Sequence, residues 1–325
     1  LHGDDADPVN AAGDLADVIL GDHGEVLIAV GLIAEIRTRD EYENTGGADT
    51  ITGAWGDDVI LGGVNGDDIE GNDGDDIILG DNGELLYDED GVRPAFAERS
   101  ELDAVRSLRL GTEEPALPAL GASDEIDGNA GHDIIIGGSS GDTLHGDDAD
   151  PVNAAGDLAD VILGDHGEVL QDGGQITEIR TLDEYEDTGG TDTITGARGD
   201  DIILGGVHDA DIEGNADDDV IVGDNGELLY NETGTTLPAF AEREALDTID
   251  TYAYSSADGT TNLGAGDTLS GNSGYDILIG GTGGDIVYGD DSEAGAGTKD
   301  LGDLLVGDQV VILLSNAYTN LAYSI

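Results

Sequence analysis

Aliphatic residues recur along this chain at nine-residue intervals, almost always preceded two positions earlier by aspartate and followed two positions later by glycine. The clearest run is Gly53-Ala54-Trp55-Gly56-Asp57-Asp58-Val59-Ile60-Leu61, continued in frame by residues 62–70 and 71–79. The pattern is G-x-x-G-x-D-x-U-x, with U aliphatic, and 17 frames fit it, starting at residues 12, 44, 53, 62, 71, 119, 128, 137, 155, 187, 196, 205, 214, 262, 271, 280 and 298. Position eight is Ile, Leu or Val in all 17, and position six is Asp in 16, with Ala210 the exception. Each x-U-x stretch predicts a short strand whose middle side chain points inward and whose neighbours point out. The glycines supply tight, positive-φ turns. Two frames make one turn of a solenoid with a strand on each side, so the expected fold is all-β.

The aspartate at each turn places a carboxylate where backbone carbonyls converge, a hard-oxygen environment of the kind Ca²⁺ takes with 6–8 ligands. The frame carboxylates are Asp17, Asp49, Asp58, Asp67, Asp76, Asp124, Asp133, Asp142, Asp160, Asp192, Asp201, Asp219, Asp267, Asp276, Asp285 and Asp303. If an ion sits between turns, ligands come from frames two apart: Asp49 with Asp67, Asp58 with Asp76, Asp124 with Asp142, Asp201 with Asp219, Asp267 with Asp285. A second motif ends each run of frames: residues 21–25, 80–84, 164–168 and 223–227 read Gly-Asp-(His/Asn)-Gly-Glu. Its aspartates are Asp22, Asp81, Asp165 and Asp224, with Asp308 at the matching place near the end of the chain. It reads as a terminal calcium site using Asp and the following Glu; a simple turn closed by an Asx hydrogen bond is the alternative.

The nonapeptide resembles the repeats-in-toxin (RTX, hemolysin-type) calcium-binding family, whose G-G-x-G-x-D-x-U-x repeat forms a parallel β-roll. The resemblance covers about half of the chain. It implies a parallel β-roll, or β-solenoid, with many Ca²⁺ ions in its turns, about one per frame, and secretion by a type I route. Since such ions bind the folded state, their binding free energy becomes folding free energy.

A longer period overlies the short one. Residues 1–27 recur unchanged at 144–170, an offset of 143, and the offset persists through 51–72 against 194–215 and 128–138 against 271–281. The chain therefore divides into a module at 1–143, a second at 144–286 and a partial third at 287–325. Its start inside a module and its lack of Met point to a piece of a longer or processed polypeptide. Insertions fall at matching places. Residues 94–105, with Phe96, Leu102 and Val105, and their copy 238–249, with Phe240, Leu246 and Ile249, read as short helices with Pro in the first turn. Their phenylalanines, the only two in the chain, are expected to pin the insertion to the roll. Residues 28–43 and 171–186 read as excursions of the solenoid, and Val310–Leu314 as a strand.

Charge narrows the function. Ten Lys and Arg against 74 Asp and Glu give a formal net charge of −64, which leaves no basic surface for nucleic acid. The absence of Cys excludes disulfides and thiolate metal sites. No apolar run approaches a membrane span, so membrane insertion is not expected. The six His residues lie at frame edges or turns, and three of them exchange with other residues between copies: His132 becomes Tyr275, His145 becomes Tyr288, and His208 replaces Asn65. They read as surface residues, and neither catalytic histidines nor any hydrolase, zinc-protease or phosphate-loop motif is present, so enzymatic activity is not expected. The leading reading is an extracellular, calcium-stiffened structural rod, part of a surface layer, filament or adhesin. It either associates head to tail or continues in a longer array. The alternative is the calcium-binding accessory region of a secreted toxin or enzyme.

Overall fold

The computed structural model of the protein describes residues 1–3, 16–38, 46–87, 99–108, 121–147, 158–182, 189–230, 240–241, 243–252, 254–255, 262–289, 302–314 and 322–324. Among these residues the chain is all-β, and three large sheets carry the architecture. Every nonapeptide frame supplies one parallel strand. Alternate frames feed alternate sheets, nine strands in a central sheet and eight in an outer one. The central sheet stacks Val18–Leu20, Val59–Leu61, Ile77–Leu79, Ile134–Ile136, Val161–Leu163, Ile202–Leu204, Val220–Val222, Ile277–Ile279 and Leu304–Val306 in that order. The outer sheet stacks Thr50–Trp55, Asp68–Asp73, Glu125–Ala130, Thr143–His145, Thr193–Arg198, Asp211–Ala216, Thr268–Ser273 and Ile286–Tyr288. All these pairings are parallel and in register at the position-eight residue, as in Ile51↔Ile69, Ile69↔Ile126 and Ile60↔Ile78. This is the parallel β-roll that the repeat implies. Strands on either side of residue 144 pair directly, for example Ile135↔Ile162, so the module boundary is no break in the fold.

The position-eight side chains of the two sheets face each other in one dry core. Ile51, Ile69, Ile126 and Ile194 of the outer sheet pack with Ile60, Ile78, Ile135 and Ile203 of the central one, all fully buried. Each such side chain contributes about 1.5–3 kcal/mol.

The positions flanking them behave differently in the two sheets. In the outer sheet they are polar and face out in every strand but the last, Ile286–Tyr288, as in Asp68-Ile69-Glu70. In the central sheet they are also aliphatic and buried, so Ile77-Ile78-Leu79 is enclosed on both faces. The expectation that every neighbour of the inward residue points to solvent is corrected here. A third sheet covers them.

That third sheet is antiparallel and ten-stranded, in the order Gly24–Ala29, Leu32–Thr38, Gly83–Leu86, Ala104–Ser107, Gly167–Asp172, Gln175–Thr181, Gly226–Tyr230, Leu246–Thr251, Val311–Leu313 and Ala322–Ser324. Ile36, Leu85, Val105, Val169, Ile179, Leu228, Ile249 and Ile312 form its buried face, packed on Val59, Leu61, Ile77, Leu79 and their successors. The stretch at 28–43 is thus a hairpin arm of this sheet over 24–38, like its copy at 167–181. Residues 39–45 and 183–188 lie outside the described residues.

The helices expected at 94–105 and 238–249 are also corrected. Arg99–Glu101 and Arg243–Ala245 are single 3₁₀ turns, and the chain then runs into the strands Ala104–Ser107 and Leu246–Thr251. Pairing with Gly83–Leu86 and Gly226–Tyr230 captures their aliphatic residues and outweighs a weak local helix preference. Phe240 is buried and does pin its insertion, whereas Phe96 lies outside the described residues. Val311–Leu313 forms the expected strand and pairs with Leu246–Thr251.

The outer face of the antiparallel sheet carries a row of charges, one residue per strand, Glu25, Arg37, Glu84, Arg106, Glu168, Arg180, Glu227 and Asp250, alternating in sign until the last two, and Glu168 is buried among its partners. Arg106 bridges Glu84 at 3.0 Å and Glu168 at 2.6 Å, and Arg180 pairs with Glu168 and Glu178. The arginines are about one-third exposed, so a pair such as Arg106 with Glu84 contributes only about 0.2–1 kcal/mol, whereas Glu168 is buried between its two arginines. The aliphatic packing beneath them contributes more. Ile179→Ala is expected to cost about 2–5 kcal/mol in millimolar calcium. Thermal melts in calcium check this; a variant that melts with the parent would mean that the antiparallel sheet adds nothing to the stability of the roll.

Candidate metal centres

Stacking of the frames brings their aspartates into two columns, one along each edge of the roll. In one column the backbone N–H of each residue donates to Oδ1 of the aspartate one turn on: Asp49 to Asp67 (2.8 Å), Asp67 to Asp124 (2.7 Å), Asp124 to Asp142 (2.9 Å) and Asp142 to Asp192 (2.8 Å). It resumes with Ala210 to Asp267 (2.9 Å) and Asp267 to Asp285 (3.3 Å). The other column links Asp17, Asp58, Asp76, Asp133, Asp160 and Asp201 at 2.6–2.8 Å. It continues through Asp219, Asp276 and Asp303 at 3.0–3.2 Å. All five pairs expected from the spacing are among these contacts.

One oxygen of each carboxylate is therefore spent on the chain. The other, Oδ2, is buried and has no hydrogen-bond partner at Asp67, Asp76, Asp124, Asp133, Asp142, Asp160, Asp192, Asp201, Asp219, Asp267, Asp276 and Asp285. These oxygens share a common surrounding. A Cβ added to Gly128 would run into Asp133 Oδ2 and the Gly146 carbonyl oxygen; one added to Gly71 would meet Asp76 Oδ2 and the Gly128 carbonyl. The first glycine of a frame thus leaves open a cradle rimmed by one carboxylate oxygen and one carbonyl oxygen. Buried acceptors with no donor are costly unless something positive satisfies them. No three His, Cys, Asp or Glu side chains converge on one point among the described residues. The donors are hard oxygens, half of them from the backbone, which suits Ca²⁺ and not the softer transition metals.

Burial above all, with neighbouring carboxylates adding to it, pushes these carboxyls far above the ordinary 3.8. It raises Asp67 to about 7, Asp124, Asp133 and Asp267 to about 8, and Asp76 and Asp192 to about 9, with neighbouring carboxylates adding to the effect at Asp76 and Asp192. A carboxyl that holds its proton more tightly when folded favours the folded state at low pH, and that advantage is lost as pH climbs through the folded value. The metal-free chain should therefore gain β structure on acidification from pH 9 to pH 5. Circular dichroism in chelator checks it, and a signal that falls over that range would contradict the burial of these groups.

Ala210 interrupts the first column. The Gly223 carbonyl still faces Gly205, but the alanine methyl stands where the carboxylate would be. Ala210→Asp should restore an acceptor for the Asp192 N–H and add one ion to the total. Calorimetric titration would show the added site; unchanged stoichiometry and affinity would contradict the column.

The Gly-Asp-x-Gly-Glu motif is built in another way. Both carboxylate oxygens of its aspartate accept hydrogen bonds from the chain. Asp22 takes the N–H of Gly47 and Val64 (3.0 and 2.9 Å), Asp81 those of Ala122 and Ser139 (3.3 and 2.6 Å), and Asp165 those of Gly190 and Val207 (2.8 and 2.6 Å). Asp224 takes the Ala265 N–H (3.2 Å) and the Thr282 hydroxyl (2.8 Å). Each carboxylate clamps two consecutive turns, entering beside a glycine such as Gly138, whose φ of 113° and missing Cβ leave room for it. The Glu of the motif is held by the arginines of the antiparallel sheet. Asp308 is exposed.

Two functional details are invisible in the sequence pattern. His166, expected at the surface, is buried between the Ser139 and Ser107 hydroxyls at 3.1 and 3.2 Å. Arg99 is half-buried beside the turn carboxylates, and burial lowers its pKa while Asp75 and Asp133 raise it. The repeated Arg-Ser-Glu and Arg-Glu-Ala segments at residues 99 and 243 carry that signal.

Two stacked parallel sheets, glycine turns and columns of carboxylates with one oxygen left for a cation define a calcium-binding β-roll. The chain carries RTX repeats: the family model of the RTX calcium-binding nonapeptide repeat matches residues 45–68, 119–150, 183–209, 211–227 and 263–292. Such repeats are typical of secreted proteins. No curated protein matches the chain. Among the described residues no helix is long and apolar enough to cross a membrane.

Proposed function

We propose that the chain is a segment of an extracellular structural protein, a calcium-stiffened rod that serves as spacer, filament or surface-layer element. The observation that supports this is the continuity of the stack. Two modules of nearly identical sequence share all three sheets, and the same carboxylate columns run through both. Repeats that contact only their neighbours extend in one dimension and present the same surface many times. The acidic surface that remains keeps such an array soluble and extended.

Antibody against this chain, applied to intact cells of the source organism, tests the reading. Surface labelling that chelator strips and calcium restores is expected. Labelling confined to the cytoplasm, or chain found only on a soluble secreted hydrolase, would overturn it; the latter would favour an accessory role beside a toxin or enzyme domain.

A further inference from the structure

Position five, next to the buried aspartate of each frame, carries a second line of carboxylates along the second column. Asp57 Oδ1 accepts the Asp75 N–H at 3.1 Å, and Asp75 Oδ1 accepts the His132 N–H at 3.0 Å. One module on, Asp200 accepts the Asp218 N–H and Asp218 the Tyr275 N–H, both at 2.9 Å. In each module the line ends there, because position five is His132 or Tyr275 in one frame and Ala159 or Gly302 in the next.

An arginine arrives at that same rung. Arg99, at the head of the 3₁₀ turn Arg99–Glu101, donates to the backbone carbonyl of His132, and Arg243, at the head of Arg243–Ala245, donates to that of Tyr275. The ring of Phe240 covers the Arg99 guanidinium, its centre 4.5 Å from the guanidinium carbon. Arg243 stands 3.9 Å from Asp218 Oδ2. Both arginines act on the column itself. Burial raises the carboxyls of Asp133 and Asp276, while Arg99 acts to lower the first and Arg243 the second. Asp75, Asp133, Asp57 and Asp160 all act in turn on Arg99. The Oδ2 atoms of Asp133, Asp160 and Asp276 are among those left for a cation. On a chain with only ten Lys and Arg, arginines at corresponding rungs of one column are a repeated feature and no incidental surface charge.

We propose that Arg99 and Arg243 are affinity-determining residues: each is a tethered cation that weakens the calcium site nearest to it, so that the ions of a module are ranked. A fixed positive charge repels a divalent ion brought close to it and stabilises the same carboxylates while the site is empty. Asp57, beside Asp58, and Asp200, beside Asp201, do the opposite and strengthen the sites they flank. The rung at Asp133 and its copy at Asp276 therefore fill last and empty first. Falling calcium then loosens each module at one defined rung before the rest. The inference rests on the carboxylate columns as calcium sites and is independent of the rod reading.

Calcium release from the loaded whole chain into excess fluorescent chelator, followed by stopped flow, tests it. The parent is expected to lose a small first group of ions ahead of the others. Arg99→Gln should move about half of that first phase to a rate about tenfold slower, and Arg99→Gln combined with Arg243→Gln should move all of it. Arg99→Lys keeps the charge and should leave the phase fast. Arg37→Gln removes the same charge from the antiparallel sheet, among Glu25, Glu35 and Glu84, and should also leave it fast. Loss of a merely structural contact would speed release, since a loosened roll holds its ions less well. Circular dichroism in calcium shows that each variant is folded, and Arg243→Gln alone gives the same reading should Arg99→Gln fail to fold. Release in a single phase from the parent overturns the proposal, as does unchanged or faster release from Arg99→Gln. A lysine variant as slow as the glutamine one, or equal slowing in Arg37→Gln, overturns it too. A parent chain that takes up no calcium overturns the columns and the proposal together, while the rod reading stands or falls on surface labelling.

Discussion

Removing calcium at pH 7.5 is expected to abolish most of the β signal in circular dichroism, and millimolar Ca²⁺ to restore it cooperatively. The magnitude follows from the columns. Among the described residues, twelve frame carboxylates each leave one buried oxygen without a donor. Those whose folded values burial pushes to about 8 or 9 would have to ionise against that bias or hold a proton at a pH where the unfolded chain does not. Either way the cost is on the order of several kcal/mol per group, shared along each column. A domain's whole stability is only about 5–15 kcal/mol, so a handful of such groups decides the outcome. Mg²⁺ should substitute poorly, because it demands octahedral geometry and dehydrates reluctantly. The covered central sheet buries three aliphatic residues per frame, so a weak residual signal from the layer beneath the antiparallel sheet is consistent with this. A spectrum untouched by chelator would refute the dependence on metal.

Asp133→Asn should change sign with calcium. The amide oxygen can still accept the Asp76 N–H, now 2.7 Å from Oδ1, so the column's backbone link survives. In calcium the variant loses a charged ligand at a buried site, and a loss of about 3–5 kcal/mol is expected, as when one partner of a buried ion pair is removed. In chelator at the same pH it removes a buried carboxylate that favours its protonated form, and the variant should be as stable as the parent or more so. Asp211→Asn, on the exposed face of the outer sheet, should do neither beyond a few tenths of a kcal/mol. Denaturant titration in calcium, and the residual β signal by circular dichroism in chelator, measure these. Equal destabilisation of Asp133→Asn in both conditions would mean that the carboxylate is structural and no metal ligand.

Much of the fold is legible in the sequence, and the reason is the strictness of the nonapeptide. Period nine with one aliphatic at position eight specifies one strand per frame, and the structure has one at all 17. A spacing of 18 is by itself enough to place Asp58 beside Asp76 and Asp201 beside Asp219. The third sheet escapes that pattern, although a signal for it exists. Frames of the central sheet carry apolar triplets such as Val59-Ile60-Leu61 and Ile202-Ile203-Leu204, whereas outer-sheet frames alternate, as in Thr193-Ile194-Thr195. Continuous apolar strands mean burial on both faces, and attention to position eight alone conceals it. The helical reading of residues 94–105 fails for a different reason. A short segment with three apolar residues fits either period, and strand pairing partners such as Leu85 and Val169, 20 and 64 residues from Val105, settle which one wins. The burial of His166 cannot be read locally, because its two hydroxyl partners come from distant segments.

Strand spacing fixes a scale. Eight frames per module make four rungs at about 4.8 Å each, so one module advances the stack by about 19 Å while the cross-section stays constant. Duplicating the coding sequence of one module therefore lengthens the object by a fixed increment and leaves its girth unchanged. Reach from the cell, if the array serves as a spacer, becomes a digital quantity that recombination between identical stretches such as 1–27 and 144–170 can raise or lower one step at a time.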